Sequence, residues 1–329
     1  MQNVLQPAEP AVNDKPKRRW YQFSLLSMLV VLTLVGLILA LAAREREECR
    51  KGERALEVLG QRLLIESAED FGLEVDGRTE FERPTWLKPL LGDDHFRQIS
   101  FAQITVWSGD DMRHVANLSK LRGLDLVAAD DPDESEITND DFVALRAMRS
   151  LKSLNIIDRN VPGELVDTLA ECRQITDLSF QLCDFTGNGV SRLSALSHTK
   201  KLGLYLTNIE DDDLLAISSL ESLEELDLSD TSISDAGLAA LSRLKNLRRL
   251  DLSSTDVSGQ GLTELTKLPQ LEWLLLDRCS LNEDGIRAVS RLQRLRKLSL
   301  DYASVPDSAI QTLKKALPNT AINNLKKKQ

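Results

Sequence analysis

The chain has 329 residues, a formal net charge of −10 and a sequence that is 28% charged but only 5% aromatic. An acidic exterior of this kind argues against a nucleic-acid binder, which needs a basic stripe to meet phosphates. The three histidines, His95, His114 and His198, are scattered. No nucleophile elbow, phosphate loop, G-x-G-x-x-G or H-E-x-x-H pattern appears, so no catalysis, cofactor or metal is expected.

Charge is unevenly placed along the chain. Residues 1–22 form a basic tail, and up to residue 43 Lys15, Lys17, Arg18 and Arg19 face only Glu9 and Asp14, a net of +2 that leaves −12 for the rest. Phe23 to Ala43 follows without a charge. As a helix at ~1.5 Å per residue it reaches ~32 Å, enough to cross a hydrocarbon core of ~30 Å. Trp20 and Tyr21 stand where interfacial aromatics are expected. The segment reads as a transmembrane signal anchor. Ala40-Leu41-Ala42 leaves a cleaved signal peptide as the alternative, although the apolar run exceeds the usual h-region of ~7–15 residues. Lys and Arg nearly balance across the segment, with Arg44, Arg46, Arg50, Lys51 and Arg54 on the far side. Both readings nevertheless export residues 44–329, so the N-terminus is expected in the cytoplasm and the bulk in the periplasm or at the cell surface.

Residues 44–95 read as a linker. Arg44–Ile65 has helical character, with Cys49, Leu56, Leu59 and Leu63 near a heptad interrupted by Gly52. Cys49 or this helix offers a route to a homodimer. Trp86, Leu87, Leu90 and Leu91 are expected to cap the domain that follows.

From residue 96 to 322 the sequence repeats, with Leu223-x-x-Leu226-x-Leu228-x-x-Thr231-x-Ile233 as its clearest unit. On a 24-residue period, the forward steps give Leu247, Leu250, Leu252, Thr255 and Val257, then Leu271, Leu274, Leu276, Cys279 and Leu281, then Leu295, Leu298, Leu300, Ala303 and Val305. Steps backward reach Leu202 and Leu204 (with Thr199 off the apolar pattern), then Leu178 and Phe180, then Leu154 and Ile156. Leu121, Leu124 and Leu126 precede Leu151, Leu154 and Ile156 by one period plus a six-residue insertion, which falls in Ala128–Thr138. That insertion is acidic but lacks calcium-loop spacing, so it reads as a solvated loop. Phe96, Ile99, Phe101 and Val106 make a degenerate first repeat, giving about nine in all. Leu317, Pro318 and Ile322 look like a truncated cap before the basic tail 323–329.

The pattern L-x-x-L-x-L-x-x-T/C-x-I/V-x-D-x-G-L resembles the leucine-rich-repeat family, nearest its ribonuclease-inhibitor-like and F-box-associated classes. The lead-in Arg18-Arg19-Trp20-Tyr21-Gln22-Phe23-Ser24, the single span and Trp86-Leu87 also resemble single-pass anchored leucine-rich-repeat proteins of planctomycete bacteria. The resemblance implies an α/β fold: a right-handed solenoid with a parallel concave β-sheet and convex helices, preceded by one transmembrane helix. Successive side chains of a strand alternate, so Leu226 and Leu228 point in while Glu225, Asp227 and Ser229 point out. Asp235 is a plausible helix N-cap, followed by Leu238, Leu241 and Leu244 on one helical face. Gly189, Gly237, Gly261 and Gly285 recur where a small residue permits close packing. Inward Thr207, Thr231 and Thr255 and the thiols Cys183 and Cys279 should bond neighbouring turn backbones. Cys183 and Cys279, four repeats apart, are separated by roughly 19 Å at strand spacing and cannot form a disulfide.

The register reads the concave face as a carboxylate-rich stripe with interleaved cations and exposed aromatics. Its candidate ligand-binding residues are Tyr205, Glu225, Asp227, Arg249, Asp251, Trp273, Asp277, Arg278, Lys297, Asp301 and Tyr302. Trp and Tyr beside Arg and Asp is an interface composition. The expected function is a non-catalytic, membrane-anchored interaction module holding a protein or peptide. The alternative is a structural envelope component that self-associates without a dedicated ligand.

Overall fold

The computed structural model describes residues 101–325, apart from 107–108, 119 and 129–137, together with nine positions between 40 and 64. Several expectations fall outside the described residues: most of the apolar segment 23–43, Cys49, the cap at Trp86–Leu91, the acidic insertion and Lys326–Lys328. Among the described residues no helix is long and apolar enough to cross a membrane. Ala40, Ala43 and Arg44 are helical, as are Glu47, Arg50, Lys51 and Arg54.

The repeats build one sheet. In chain order its strands are β1 (Leu63–Leu64), β2 (Phe101–Val106), β3 (Gly123–Ala128), β4 (Ser153–Ile157), β6 (Asp177–Gln181), β8 (Lys201–Gly203), β9 (Glu225–Asp227), β10 (Arg249–Asp251), β11 (Trp273–Leu275), β12 (Lys297–Ser299) and β13 (Ala321–Asn323). Each is hydrogen-bonded to the next in that order, all in parallel except β1 against β2. A minor pair, β5 (Asn160–Val161) and β7 (Asp184–Phe185), runs beside it. From β4 onward the partners keep the 24-residue register, as in Leu226↔Leu250 and Leu250↔Leu274. Leu124 pairs with Leu154 and Leu126 with Ile156, so the inserted residues loop out without disturbing the register.

The period explains the core. One residue per strand, Leu202, Leu226, Leu250, Leu274 and Leu298, points inward and is at most 1% exposed. Each contributes roughly 1.5–3 kcal/mol by leaving water. The crossover segments turn their own apolar faces onto this row through Leu238, Leu241 and Leu244, then Leu262, Leu265 and Leu268, then Ile286, Val289 and Leu292, all buried. These segments are a mixture of short α-turns (Leu238–Leu241, Glu283–Val289) and 3-10 turns (Asn139–Ala147, Gln260–Lys267). Tight stacking leaves no room for a side chain at their starts. A Cβ at Gly261 would lie 2.3 Å from the Asp235 carbonyl oxygen, and one at Gly285 would lie 2.5 Å from that of Ser258.

Four local expectations are corrected. In the first repeat Ala102 and Ile104, not Ile99 and Phe101, stand opposite Leu124 and Leu126. Apolar residues occupy both phases of Phe101–Val106, so the letters leave the phase open and a six-residue ladder decides it. Leu63 and Leu64 are not helical but pair antiparallel with Ile104 and Gln103, covering the sheet edge that would otherwise offer free backbone groups. Asp235 caps no helix. Its carboxylate instead accepts from the Ser258 and Gly259 backbone N–H groups of the next repeat, at 3.3 and 3.1 Å. The threonine hydroxyls bond backbone of their own repeat rather than of a neighbour: Thr207, Thr231 and Thr255 donate to the carbonyls of Leu204, Leu228 and Leu252, and Thr255 also lies 3.9 Å from the Cys279 thiol of the next repeat. Only the thiols reach the preceding repeat, Cys183 to the Ile156 carbonyl and Cys279 to that of Leu252.

Candidate functional site

The face of the sheet opposite the core presents two rows of side chains from each strand. The first row runs Asp177, Lys201, Glu225, Arg249, Trp273 and Lys297 across β6 to β12, and these residues pair directly in register. The second runs Ser179, Gly203, Asp227, Asp251, Leu275 and Ser299. Two residues further on, where the strands end, stand Tyr205, Ser229, Ser253, Asp277 and Asp301.

After that third row the backbone does something the sequence does not announce. Asp158, Leu182, Leu206, Asp230, Ser254, Arg278 and Tyr302 all have φ between 51° and 60°. They recur once per repeat at the same register position, and none is glycine. A left-handed conformation costs an ordinary L-residue roughly 1–2 kcal/mol. Stacked hydrogen bonds hold it here: Asp230, Ser254 and Arg278 donate their N–H groups to the carbonyls of Ser253, Asp277 and Asp301 in the following repeat, at 2.9, 2.8 and 2.9 Å. The side chains of this row form a rim, on which Leu182 and Leu206 are exposed beside one another.

Rim and third row together enclose a groove of about 330 Å³ in the C-terminal repeats. It is lined by the successive pairs Ser229-Asp230, Ser253-Ser254, Asp277-Arg278 and Asp301-Tyr302, together with Asp251. The groove thus gathers five of the expected residues, Asp251, Asp277, Arg278, Asp301 and Tyr302. Asp230, Ser253 and Ser254 are not among the expected residues, and Ser229 is expected to point out but not to line a site. Their signal was their place in the 24-residue register, at the two positions following each strand.

The carboxylates here are partly engaged in holding the sheet. Asp227 accepts from the N–H and hydroxyl of Ser229 at 2.9 and 2.5 Å, and Ser229, expected to point out, is buried. Asp251 accepts from the Ser253 N–H at 3.0 Å, Asp277 from that of Asp301 at 2.7 Å, and Asp301 from that of Leu325 at 2.5 Å. Burial pushes the Asp251 carboxyl above its ordinary range, against the lowering effect of the Ser253 hydrogen bonds. Among the described residues no group of three or more His, Cys, Asp or Glu side chains is placed to hold a metal ion.

Of the remaining expected residues, Asp227 ends β9 and bonds the groove residue Ser229, while Glu225, Arg249, Trp273 and Lys297 start their strands, about 13 Å from the groove for a four-residue separation. Trp273 is 40% exposed. The Arg249 guanidinium stands 5.5 Å from its ring centroid and Lys297 Nζ 5.7 Å. Glu225 forms an ion pair with Lys201 at 2.9 Å, and this raises the lysine's pKa. Tyr205, expected to be exposed, is half-buried and lies one repeat before the groove, whose lining does not include it.

Residues 219–242 and 243–265 match the family described as Leucine Rich repeat. No curated protein sequence matches the chain. Among solved structures, an internalin (InlF) from Listeria monocytogenes aligns at 18% identity with a TM-score of 0.49, covering 66% of this chain and 64% of that one. A leucine-rich-repeat protein of Leptospira interrogans aligns at 20% identity and a TM-score of 0.44, covering 64% and 56%. The plant peptide hormone receptor RGFR1, solved in complex with RGF2, aligns at 16% and 0.40, covering 65% and 37%. The chain spans less than two thirds of the length of each. Residues 219–265 match the leucine-rich repeat, and parallel strands from Ser153 to Asn323 keep the same 24-residue register on both sides of that match.

Proposed function

We propose that this protein is a membrane-anchored, non-catalytic interaction module that binds a protein or peptide on the open, concave face of its solenoid. Residues 23–43 serve as a retained anchor, residues 1–22 face the cytoplasm, and the repeats stand on the exported side. This arrangement also fits the resemblance to anchored planctomycete repeat proteins. The observation that carries the binding reading is the exposed Trp273 indole with two cations near its ring, in an outward row whose other members, Asp177, Lys201, Glu225, Arg249 and Lys297, are charged. An exposed aromatic anchor beside arginine, with a polar groove close by, is how interaction hot spots are built. The other residues assigned to the site are Tyr205, Glu225, Asp227, Arg249, Asp251, Asp277, Arg278, Lys297, Asp301 and Tyr302.

The test is a pull-down from solubilised envelope with the full chain as bait, beside a Trp273→Ala/Tyr302→Ala variant. A partner captured by the native chain and lost with the variant supports concave-face binding. Recovery of only the chain itself, unchanged by the variant, overturns it in favour of a self-assembling envelope component.

A further inference from the structure

Charges at the strand starts of the open face are matched at some positions and unmatched at others. In the first row, Lys201 pairs with Glu225, and just outside it Lys200 pairs with Glu224, both at 2.9 Å. Arg296 is 3.6 Å from Glu272. The pattern then breaks. Arg249 has Glu225 as its neighbour in register, but that carboxylate is taken by Lys201, and Asp251 at the other end of its own strand acts on it only through its field, without an ion pair. Lys297 has Ala321 on its far side. Among the described residues neither cation has a carboxylate in ion-pair range, and both turn toward the Trp273 ring instead. An indole face attracts a cation without neutralising it. In a chain of net charge −10, these two cations are the groups on this row that an incoming anion can pair with.

We propose that Arg249, Trp273 and Lys297 form a clamp for an acidic peptide segment, with two side-chain carboxylates on the cations and an apolar side chain on the indole. The inference rests on the concave-face reading and gives its ligand a chemistry. Spacing narrows it further. Arg249 and Lys297 lie two strands apart, about 10 Å. In an extended peptide, side chains at i, i+2 and i+4 share one face over about 13 Å. Side-chain reach covers the difference, so the fitting pattern is acidic-x-apolar-x-acidic, laid across β10 to β12. The carboxylates of Asp251, Asp277 and Asp301 at the other strand ends repel such a segment from the groove and keep it at the strand starts.

The probe is a labelled dodecapeptide with central Glu-Ser-Leu-Ser-Glu, acetylated and amidated so that only side-chain carboxylates are present. Its Gln-Ser-Leu-Ser-Gln and Lys-Ser-Leu-Ser-Lys counterparts are run beside it against the detergent-solubilised full chain by fluorescence anisotropy. The Glu peptide is expected to bind at least about tenfold more tightly than the Gln peptide, as charge-assisted contacts require. Its affinity should fall as salt is raised. Arg249→Gln/Lys297→Gln should remove the preference, and Arg249→Glu/Lys297→Glu should transfer it to the Lys peptide, with melting unchanged in both. Equal binding of Glu and Gln peptides, both lost with Trp273→Ala, would overturn the acidic clamp and leave the binding surface standing. No binding of any peptide, joined to an envelope pull-down indifferent to Trp273→Ala, would overturn both.

Discussion

Gly261→Ala sets two known effects against each other, and the structure decides between them. In an exposed helical turn, alanine is favoured over glycine by about 1 kcal/mol. Here the added Cβ would lie 2.3, 2.6 and 2.8 Å from the carbonyl oxygen, Cα and carbonyl carbon of Asp235. All three are backbone atoms of the preceding repeat and cannot rotate away. The turn at Asp235 must then retreat by roughly an ångström, and overpacking of this kind costs typically 1–3 kcal/mol. The same movement strains the Asp235 carboxylate bonds to Ser258 and Gly259, each worth about 1 kcal/mol. The net expectation is a loss of about 2–3 kcal/mol. It should be read as a lower urea midpoint and as faster hydrogen exchange centred on residues 258–262, since solenoid repeats couple chiefly to their neighbours. Stability equal to or above that of the native chain would refute the close stacking of Gly261 on the Asp235 backbone.

Leu250→Asp places an unpaired charge where the native side chain is fully buried, and a loss above about 4 kcal/mol is expected by urea melting. Trp273→Ala/Tyr302→Ala should instead melt within about 1 kcal/mol of the native chain, because both residues are 40–45% exposed. If the two variants melted alike, the assignment of inward and outward faces would be wrong. For Asp251 the folded carboxyl binds its proton more readily than the unfolded one, so the native state holds more protons between the two pKa values. Stability from this residue therefore falls as pH rises through that window. Asp251→Asn should gain stability over the native chain at neutral pH and lose the advantage below the ordinary carboxylate range, as thermal melts across pH would show. Cys172, Cys183 and Cys279 are buried free thiols, and burial pushes Cys172 up to about 11. At pH 8 iodoacetamide should spare all three until urea is added, with peptide mass spectrometry as the readout.

The spacing of leucines made the sheet legible because the physics behind it is periodic: each inward position must fill the same gap between the same two neighbours. Leu202, Leu226, Leu250, Leu274 and Leu298 were readable on that ground alone, and so were the crossover glycines. What escaped follows from forces with no letter code. Seven left-handed residues include Leu206, Arg278 and Tyr302, chosen by the carbonyls stacked beneath them and not by any backbone preference of their own. Asp235 looked like a cap because aspartate before a helix is usually one, whereas the neighbouring repeat offered it two N–H groups. The acidic stripe was legible as composition. Its division into carboxylates tied to backbone N–H groups and cations with, among the described residues, no carboxylate in ion-pair range required coordinates.

That division bears on where function can reside. Along the inward row of β8 to β12 the residue is leucine in every strand, while the adjacent outward row reads Lys, Glu, Arg, Trp, Lys. The stack constrains the first row through burial and leaves the second free, so only the outward rows and the rim can differ from repeat to repeat without cost to the core. Ligand chemistry must then be set by differences between repeats. The sharpest such difference on the sheet is the passage from the paired Lys201–Glu225 to the unpaired Arg249 and Lys297 around Trp273. Placing lysine and glutamate at positions 249 and 273 would extend the matched pattern of the earlier repeats across this face. Because the inward leucines are untouched, that exchange should leave stability nearly constant while removing partner capture. A loss of capture accompanied by an equal loss of stability would mean that the outward row serves the fold and not a ligand.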